Sequence, residues 1–257
     1  MDNKKPKIIT IASLKGGVGK STTSIILATL LSKSKKILLI DIDTQASITS
    51  FYFNNIQNKN FNLENSNIYE ILREGALEIR DVIINIDNNL DLIPSYLSLH
   101  KFNQEAIPFK ELRLKKKLES IQDNYDYIII DTPPSLDFSL TNALVSSQYV
   151  LVPITAEKWS VESLDLLEFY SRKIGTNAPI FILVTRFKKN NTHKQLLDIL
   201  QLREDYLGII SEREDLNRRI AENDQFDLNK DYVCEYKKIL ECFLNKMQVT
   251  PSFGWRI

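Results

Sequence analysis

An Ile-rich run over residues 7–12 leads through Leu14 into Lys15-Gly16-Gly17-Val18-Gly19-Lys20-Ser21-Thr22, and an apolar-periodic segment over 21–31 follows at once. No other feature constrains the fold as much as this strand–loop–helix order. Glycines let backbone N–H groups converge on an anion, and a helix N-terminus adds positive potential. A lysine placed like Lys20 reaches the β- and γ-phosphates of a nucleotide. The segment reads as a phosphate loop, with the Ser21 hydroxyl offered to Mg²⁺. The ordinary pattern has a glycine where this chain has Leu14, and the chain carries a second lysine, Lys15, instead. A glycine-rich turn with two solvated lysines is the plainer alternative, and the strand and helix flanks weigh against it.

Two more apolar runs end in acids. Residues 37–40 run into Asp41-Ile42-Asp43-Thr44-Gln45, and residues 127–130 into Asp131-Thr132-Pro133-Pro134. In open α/β sheets the C-terminal strand ends face the ligand crevice, and alternation puts Asp41 and Asp43 on one side. The second run has the form of a Walker B strand, in which an acid such as Asp131 holds Mg²⁺ through water. Helix N-capping by Asp43 or Thr44 is the other reading of the first run.

Further apolar runs at 90–93, 149–152, 181–184 and, more weakly, 208–210 alternate with helical spacing at 68–72, 111–121, 139–145, 161–170 and 194–202. Tyr236, Ile239, Leu240, Phe243 and Leu244 mark a last amphipathic helix whose apolar stripe faces a core. Strands that read as unbroken hydrophobic runs, separated by helices, predict an α/β protein with a doubly wound, mostly parallel sheet flanked by helices. The Asn-rich stretch 54–67 reads as a surface excursion. With no repeat or Gly/Ser linker, residues 1–257 are expected to form a single domain.

Composition removes several function classes. The 33 basic and 33 acidic residues cancel, so any nucleic-acid binding must come from a local patch. Between Arg186 and Arg219 the chain carries eight basic residues against six acids, a modest excess that includes Arg218 and Arg219. Cys234 and Cys242 fit neither a redox pair nor a zinc site and are expected to be core thiols on one helix face. His100 and His193 have no Ser or Cys partner at a recognisable spacing, so nucleophilic catalysis has no support. Lys4, Lys5 and Lys7 before the first apolar run imitate a signal peptide, but the run ends at Lys15 without a cleavage site.

In chain order these three signals resemble the deviant Walker subgroup of P-loop NTPases, and within it the ParA/Soj ATPases that partition plasmids and chromosomes. The resemblance covers the chain to about Leu202. It implies ATP and Mg²⁺ as cofactors, with nucleotide contacts from Lys15, Gly16, Gly17, Val18, Gly19, Lys20, Ser21, Thr22 and, as a base or interface contact, Arg186. Lys15 resembles the signature lysine that crosses to a partner subunit's nucleotide. Asp41-Ile42-Asp43-Thr44-Gln45 is similar to the family's DxDPQ segment, with Thr44 in place of its proline. That likeness implies a water-orienting role for Asp43 and a supporting place in the Mg²⁺ shell for Asp41, beside the Walker B Asp131 that holds Mg²⁺ through water.

The family's adenine-stacking proline has no counterpart at 209–213. By the same resemblance the protein is expected to be an ATP-hydrolysing switch that forms a homodimer on binding ATP. The dimer would bind DNA non-specifically, with Arg218 and Arg219 as candidate contacts, and a ParB-like centromere-binding protein would stimulate hydrolysis. The expected location is cytoplasmic, nucleoid-associated when ATP-bound.

Four rivals share the fold. A MinD-like positioning ATPase acting on a membrane or protein cargo should end in a basic amphipathic helix. The sequence Val249-Thr250-Pro251-Ser252-Phe253-Gly254-Trp255-Arg256-Ile257 predicts no stable membrane anchor. Iron–sulfur carriers need cluster cysteines, and a dead scaffold would lose Lys20 or Asp43. A P-loop small-molecule kinase remains an alternative. The fourteen residues before Lys15 are too few for a helix-turn-helix domain, which weighs against specific operator binding.

Overall fold

The computed structural model describes residues 5–73, 75, 77–224 and 226–249. Eight strands form one sheet: β1 (Lys7–Ile11), β2 (Ile37–Asp41), β3 (Ile84–Asp87), β4 (Leu90–Ile93), β5 (Tyr127–Asp131), β6 (Tyr149–Thr155), β7 (Ile180–Phe187) and β8 (Tyr206–Ser211). Their spatial order is β3-β4-β2-β5-β1-β6-β7-β8, parallel throughout except for the antiparallel edge pair β3–β4. The chain therefore winds outward in both directions from β1, and such a sheet opens a crevice at the C-terminal ends of its central strands.

Ten α-helices accompany the described strands: α1 (Lys20–Leu31), α2 (Ser47–Phe51), α3 (Phe53–Gln57), α4 (Ile68–Leu72), α5 (Arg113–Leu118), α6 (Phe138–Ser146), α7 (Lys158–Lys173), α8 (Asn191–Leu200), α9 (Glu214–Ala221) and α10 (Asp231–Val249). Strand side chains alternate between two layers of helices. Ile37, Leu39 and Ile129 face α1, α2 and α10, together with Ile25, Phe51, Tyr236 and Phe243. Leu38, Ile40, Ile128 and Ile130 face α4 and α5 on the opposite side, and Val150, Val152, Ile182 and Val184 face α6, α7 and α8. Residues 37–40 are fully buried, so truncating any one of them to Ala costs about 2–5 kcal/mol.

Insertion of β5 between β1 and β2 is what assembles the site. Ile11 pairs with Asp131 across β1–β5, and Asp41 pairs with Asp131 across β2–β5. Three strand ends far apart in sequence thus finish side by side.

Several expectations change. Residues 54–67 are not a bare excursion: α3 runs into them as far as Gln57, Ile56 is buried, and fully buried Asn67 caps α4 by accepting the Tyr69 amide at 3.0 Å. The helix expected over 111–121 is the shorter α5, flanked by 3₁₀ turns. Cys234 is exposed and Cys242 half-buried, so they are not two core thiols on one face; eight residues at about 100° each leave them ~80° apart around α10. The strand β2 stops at Asp41, so alternation does not carry through to Asp43. Residues 250–257, on which the anchor expectation rested, lie outside the described residues. No helix among the described residues is long and apolar enough to cross a membrane.

Candidate functional site

The loop from Ala12 to Gly19 leaves β1 and delivers its last residue as the N-cap of α1. Gly17 and Gly19 have φ of 72° and 84°, a left-handed conformation that a Cβ would strain, so the glycines here are demanded by the backbone path. Val18 is buried, and its carbonyl accepts the Thr185 hydroxyl at 2.6 Å, which ties the loop to β7. Among the described residues no side chain caps α1, and its first turn has no acid. The unsatisfied N–H groups and the positive end of the helix dipole thus face the crevice uncompensated, the arrangement that binds a phosphate.

Lys20 opens α1 and is 7% exposed. Burial lowers its pKa, opposed by the charges of Asp131 and Asp43. Ser21, next along, donates its hydroxyl to Asp131 Oδ2 at 2.7 Å, and Ser24 donates to Asp131 Oδ1 at 2.8 Å. Asp131 is fully buried; desolvation, then the neighbouring Asp41 charge, push its pKa up to about 7. Asp41, also fully buried, is pushed up to about 6 by desolvation, against hydrogen bonds from Thr49 and the Asp43 amide. Asp43 is raised as well, by burial first and Asp137 last, while its own Gln45 amide bond and Lys20 pull it down.

Asp131 and Asp43 beside one lysine, with Asp41 next to both acids, leave excess negative charge, and a divalent cation beside Ser21 and Asp131 would offset it. No group of three or more His, Cys, Asp or Glu among the described residues forms a metal cage. The residues present nevertheless fit Mg²⁺, which keeps several waters and takes one or two protein oxygens plus substrate phosphates.

Lys15 leans away from this centre, its Nζ donating to Thr155 Oγ1 at 3.2 Å and ion-pairing with Glu157. Arg186 has φ 51° at an irregularity in the β7–β8 pairing, and its guanidinium lies 3.9 Å from where a Cβ on Gly17 would sit. Arg186 therefore overhangs the phosphate loop. A narrow cleft of about 40 Å³ continues from there, lined by Thr22, Arg186, Ile210, Glu212, Leu216 and Asn217. Glu212 falls in the 209–213 stretch where the resemblance seeks the adenine segment, whereas Leu216 and Asn217 have only the Leu216/Ile220 spacing on α9 as a sequence signal. Arg218 and Arg219 sit on the same helix, but both pair with Asp215, at 2.9 and 3.3 Å, and Arg219 also reaches Asp224 at 3.2 Å. The ring nitrogens of His100 and His193 meet the Leu97 carbonyl and the Lys188 amide, not the buried carboxylates.

A doubly wound sheet whose first strand ends in a phosphate loop, with a buried acid from the adjacent strand bonded to the loop's serine, defines a P-loop NTPase. Comparison with known proteins narrows this. The AAA domain family model matches residues 6–179. The chain is 40% identical over 168 residues to the sporulation initiation inhibitor protein Soj of Bacillus subtilis, a match spanning 63% of either chain. It is 34% identical over 202 residues to a virulence plasmid ParA family protein of Chlamydia psittaci, covering 76% of this chain and 75% of that one. A plasmid partition protein of Borrelia burgdorferi B31, solved bound to AMPPNP, superposes with a TM-score of 0.92 at 62% identity, covering 95% of this chain and all of the other. The chain belongs to the ParA/Soj family of P-loop ATPases.

Proposed function

We propose that this chain is an ATP-hydrolysing switch that drives plasmid or chromosome partition. The observation that carries the reading is the Asp131 carboxylate, buried beside Lys20 and bonded to the hydroxyls of Ser21 and Ser24 at the uncapped N-terminus of α1. A buried acid of this kind contributes nothing to packing and suits a bound Mg·nucleotide. The AMPPNP-bound partition protein of Borrelia burgdorferi supports the same ligand.

In this reading the backbone amides of residues 16–22 cradle the phosphates and Lys20 neutralises them in the ground state. Mg²⁺, held by Ser21 and through water by Asp131 with Asp41 behind, supplies the remaining charge neutralisation. Asp43 orients a water in line with the γ-phosphorus. The new P–O bond forms as the bond to the ADP oxygen breaks, leaving ADP and phosphate. Lys15 leaves Glu157 and crosses to the nucleotide of a second copy, so ATP makes the homodimer. That dimer binds DNA without regard to sequence through a doubled basic face that includes Arg218 and Arg219, and a ParB-like partner stimulates hydrolysis and release.

The test is a pair of measurements on the purified chain with Mg·ATP: hydrolysis, and ATP-dependent retention on random-sequence duplex DNA. Turnover with DNA retention that vanishes in ADP supports the switch. Turnover without DNA affinity even at low salt points to a protein or membrane cargo.

A further inference from the structure

Two buried hydroxyls outside the nucleotide motifs hold the segment that carries Asp43. Thr49, in α2 and 4% exposed, donates to Asp41 Oδ2 through its amide at 2.9 Å and its hydroxyl at 2.8 Å. That hydroxyl accepts the Ser95 amide at 2.8 Å, and the Ser95 hydroxyl, on a residue 1% exposed, donates to the Asp43 carbonyl at 2.7 Å. Asp41 Oδ1 completes the circuit by accepting the Asp43 amide at 3.2 Å. The ring Asp41, Thr49, Ser95, Asp43 joins the end of β2, α2 and the residue pair that follows β4.

This circuit treats Asp43 in a particular way. Its main chain is pinned on both sides, the carbonyl by Ser95 and the amide by Asp41. Its side chain keeps one local bond, Oδ1 accepting the Gln45 amide at 2.9 Å, and Oδ2 has no hydrogen bond among the described residues. A rigid backbone with one uncommitted oxygen is what a water-orienting carboxylate requires, because about 1 Å of misplacement at a reacting centre can cost ~100-fold in rate. Apolar residues of the same shape would pack as well at both positions. The hydroxyls are therefore explained by what they hold.

We propose that Thr49 and Ser95 are positioning residues for ATP hydrolysis, fixing the Asp43 backbone so that its free carboxylate oxygen faces the γ-phosphate. This rests on the reading of Asp43 as the group that orients the attacking water. Both residues are buried and lie outside the phosphate loop and the lining of the cleft beside Arg186, so the effect belongs in kcat and not in ATP affinity.

The experiment measures steady-state turnover and ATP affinity by calorimetry for full-length Thr49→Val, Thr49→Ser, Ser95→Ala, Asp43→Ala and the Ser95→Ala/Asp43→Ala double variant. Thr49→Val and Ser95→Ala should each lose about tenfold or more in kcat, with ATP affinity within about twofold of the parent. Thr49→Ser should restore most of the loss, and the double variant should be no slower than Asp43→Ala alone. If Asp43→Ala is inactive while Ser95→Ala turns over within about twofold of the parent, the positioning role is wrong and the reading of Asp43 stands. Parallel losses of affinity and turnover would mean a merely structural role and overturn the proposal too. Normal turnover by Asp43→Ala would remove the reading of Asp43, and the proposal with it. Should Thr49→Val fail to fold, Ser95→Ala decides, since it removes a single oxygen.

Discussion

Replacing Asp131 by Asn should make the nucleotide-free protein more stable at neutral pH while destroying its chemistry. Burial and the adjacent Asp41 hold the Asp131 pKa at about 7 in the folded chain, against 3.8 for an ordinary aspartate. Between those values the folded state binds a proton that the unfolded chain has released. Stability therefore falls as pH rises through that window and is lowest above pH 7. At about 1.36 kcal/mol per pH unit, the cost of the buried charge reaches about 4 kcal/mol above pH 7 and is nearly gone at pH 4. Asn carries none of it but offers one acceptor oxygen where the carboxylate offers two, so one of the Ser21 and Ser24 hydroxyls loses its acceptor, a loss of about 2 kcal/mol. The net gain is about 2 kcal/mol at pH 8, or roughly 4–8 °C in Tm for a chain of this size. Thermal melts in EDTA without nucleotide, at pH 5 and pH 8, measure it. A gain confined to the higher pH is the expected result. Equal melting shifts at both pH values, or a loss at pH 8, would refute the assignment of a raised pKa to this carboxylate.

Lys20→Ala should bind ATP at least ~100-fold more weakly, the loss of two charge-assisted contacts to phosphate, measured by calorimetry; affinity within about twofold of the parent would contradict the phosphate loop. Lys15→Gln should bind nucleotide yet fail to dimerise with ATP in sedimentation, whereas Glu157→Gln, which frees Lys15 from its intrachain ion pair, should dimerise at lower ATP. A dimer and turnover unchanged by Lys15→Gln would sink the cross-subunit role. Replacing Arg218 and Arg219 together by Glu should abolish ATP-dependent DNA retention. Because Asp215 pairs with both arginines, Asp215→Ala should strengthen retention and steepen its salt dependence by about one unit of slope for each further phosphate neutralised; unchanged retention in either variant would move the DNA face elsewhere.

What was legible in the sequence follows from how each part is held. Strands β1, β2, β5, β6 and β7 are covered on both faces and read as unbroken apolar runs, so their order and their parallel sheet could be inferred. The edge strand β3 could not, because in its four residues buried Ile84 and half-buried Ile86 alternate with exposed Asn85 and Asp87, too short a run to stand out, and it pairs antiparallel to β4 across Asn88-Asn89. Helix α9 escaped notice for a similar reason: of its eight residues only Leu216 is buried, and the rest are mostly charged or polar. With α9 went the far wall of the cleft beside Arg186.

The site divides along the same line. Gly17, Gly19, Lys20 and Ser21 lie within five residues, and local backbone geometry dictates what they are. Asp131 was recognisable as an acid at a strand end, but its bonds to Ser21 and Ser24 span more than a hundred residues and depend on β5 entering between β1 and β2. Thr49 and Ser95 left no trace at all, since a buried threonine in a short helix and a serine after a proline have many structural uses. Their meaning comes only from closure of a circuit whose ends, Asp43 and Ser95, are 52 residues apart. A motif can fix which carboxylate approaches the nucleotide because the motif is local. On the proposed reading, how rigidly that carboxylate is held depends on hydroxyls contributed from other elements, and no local stretch of sequence carries that information.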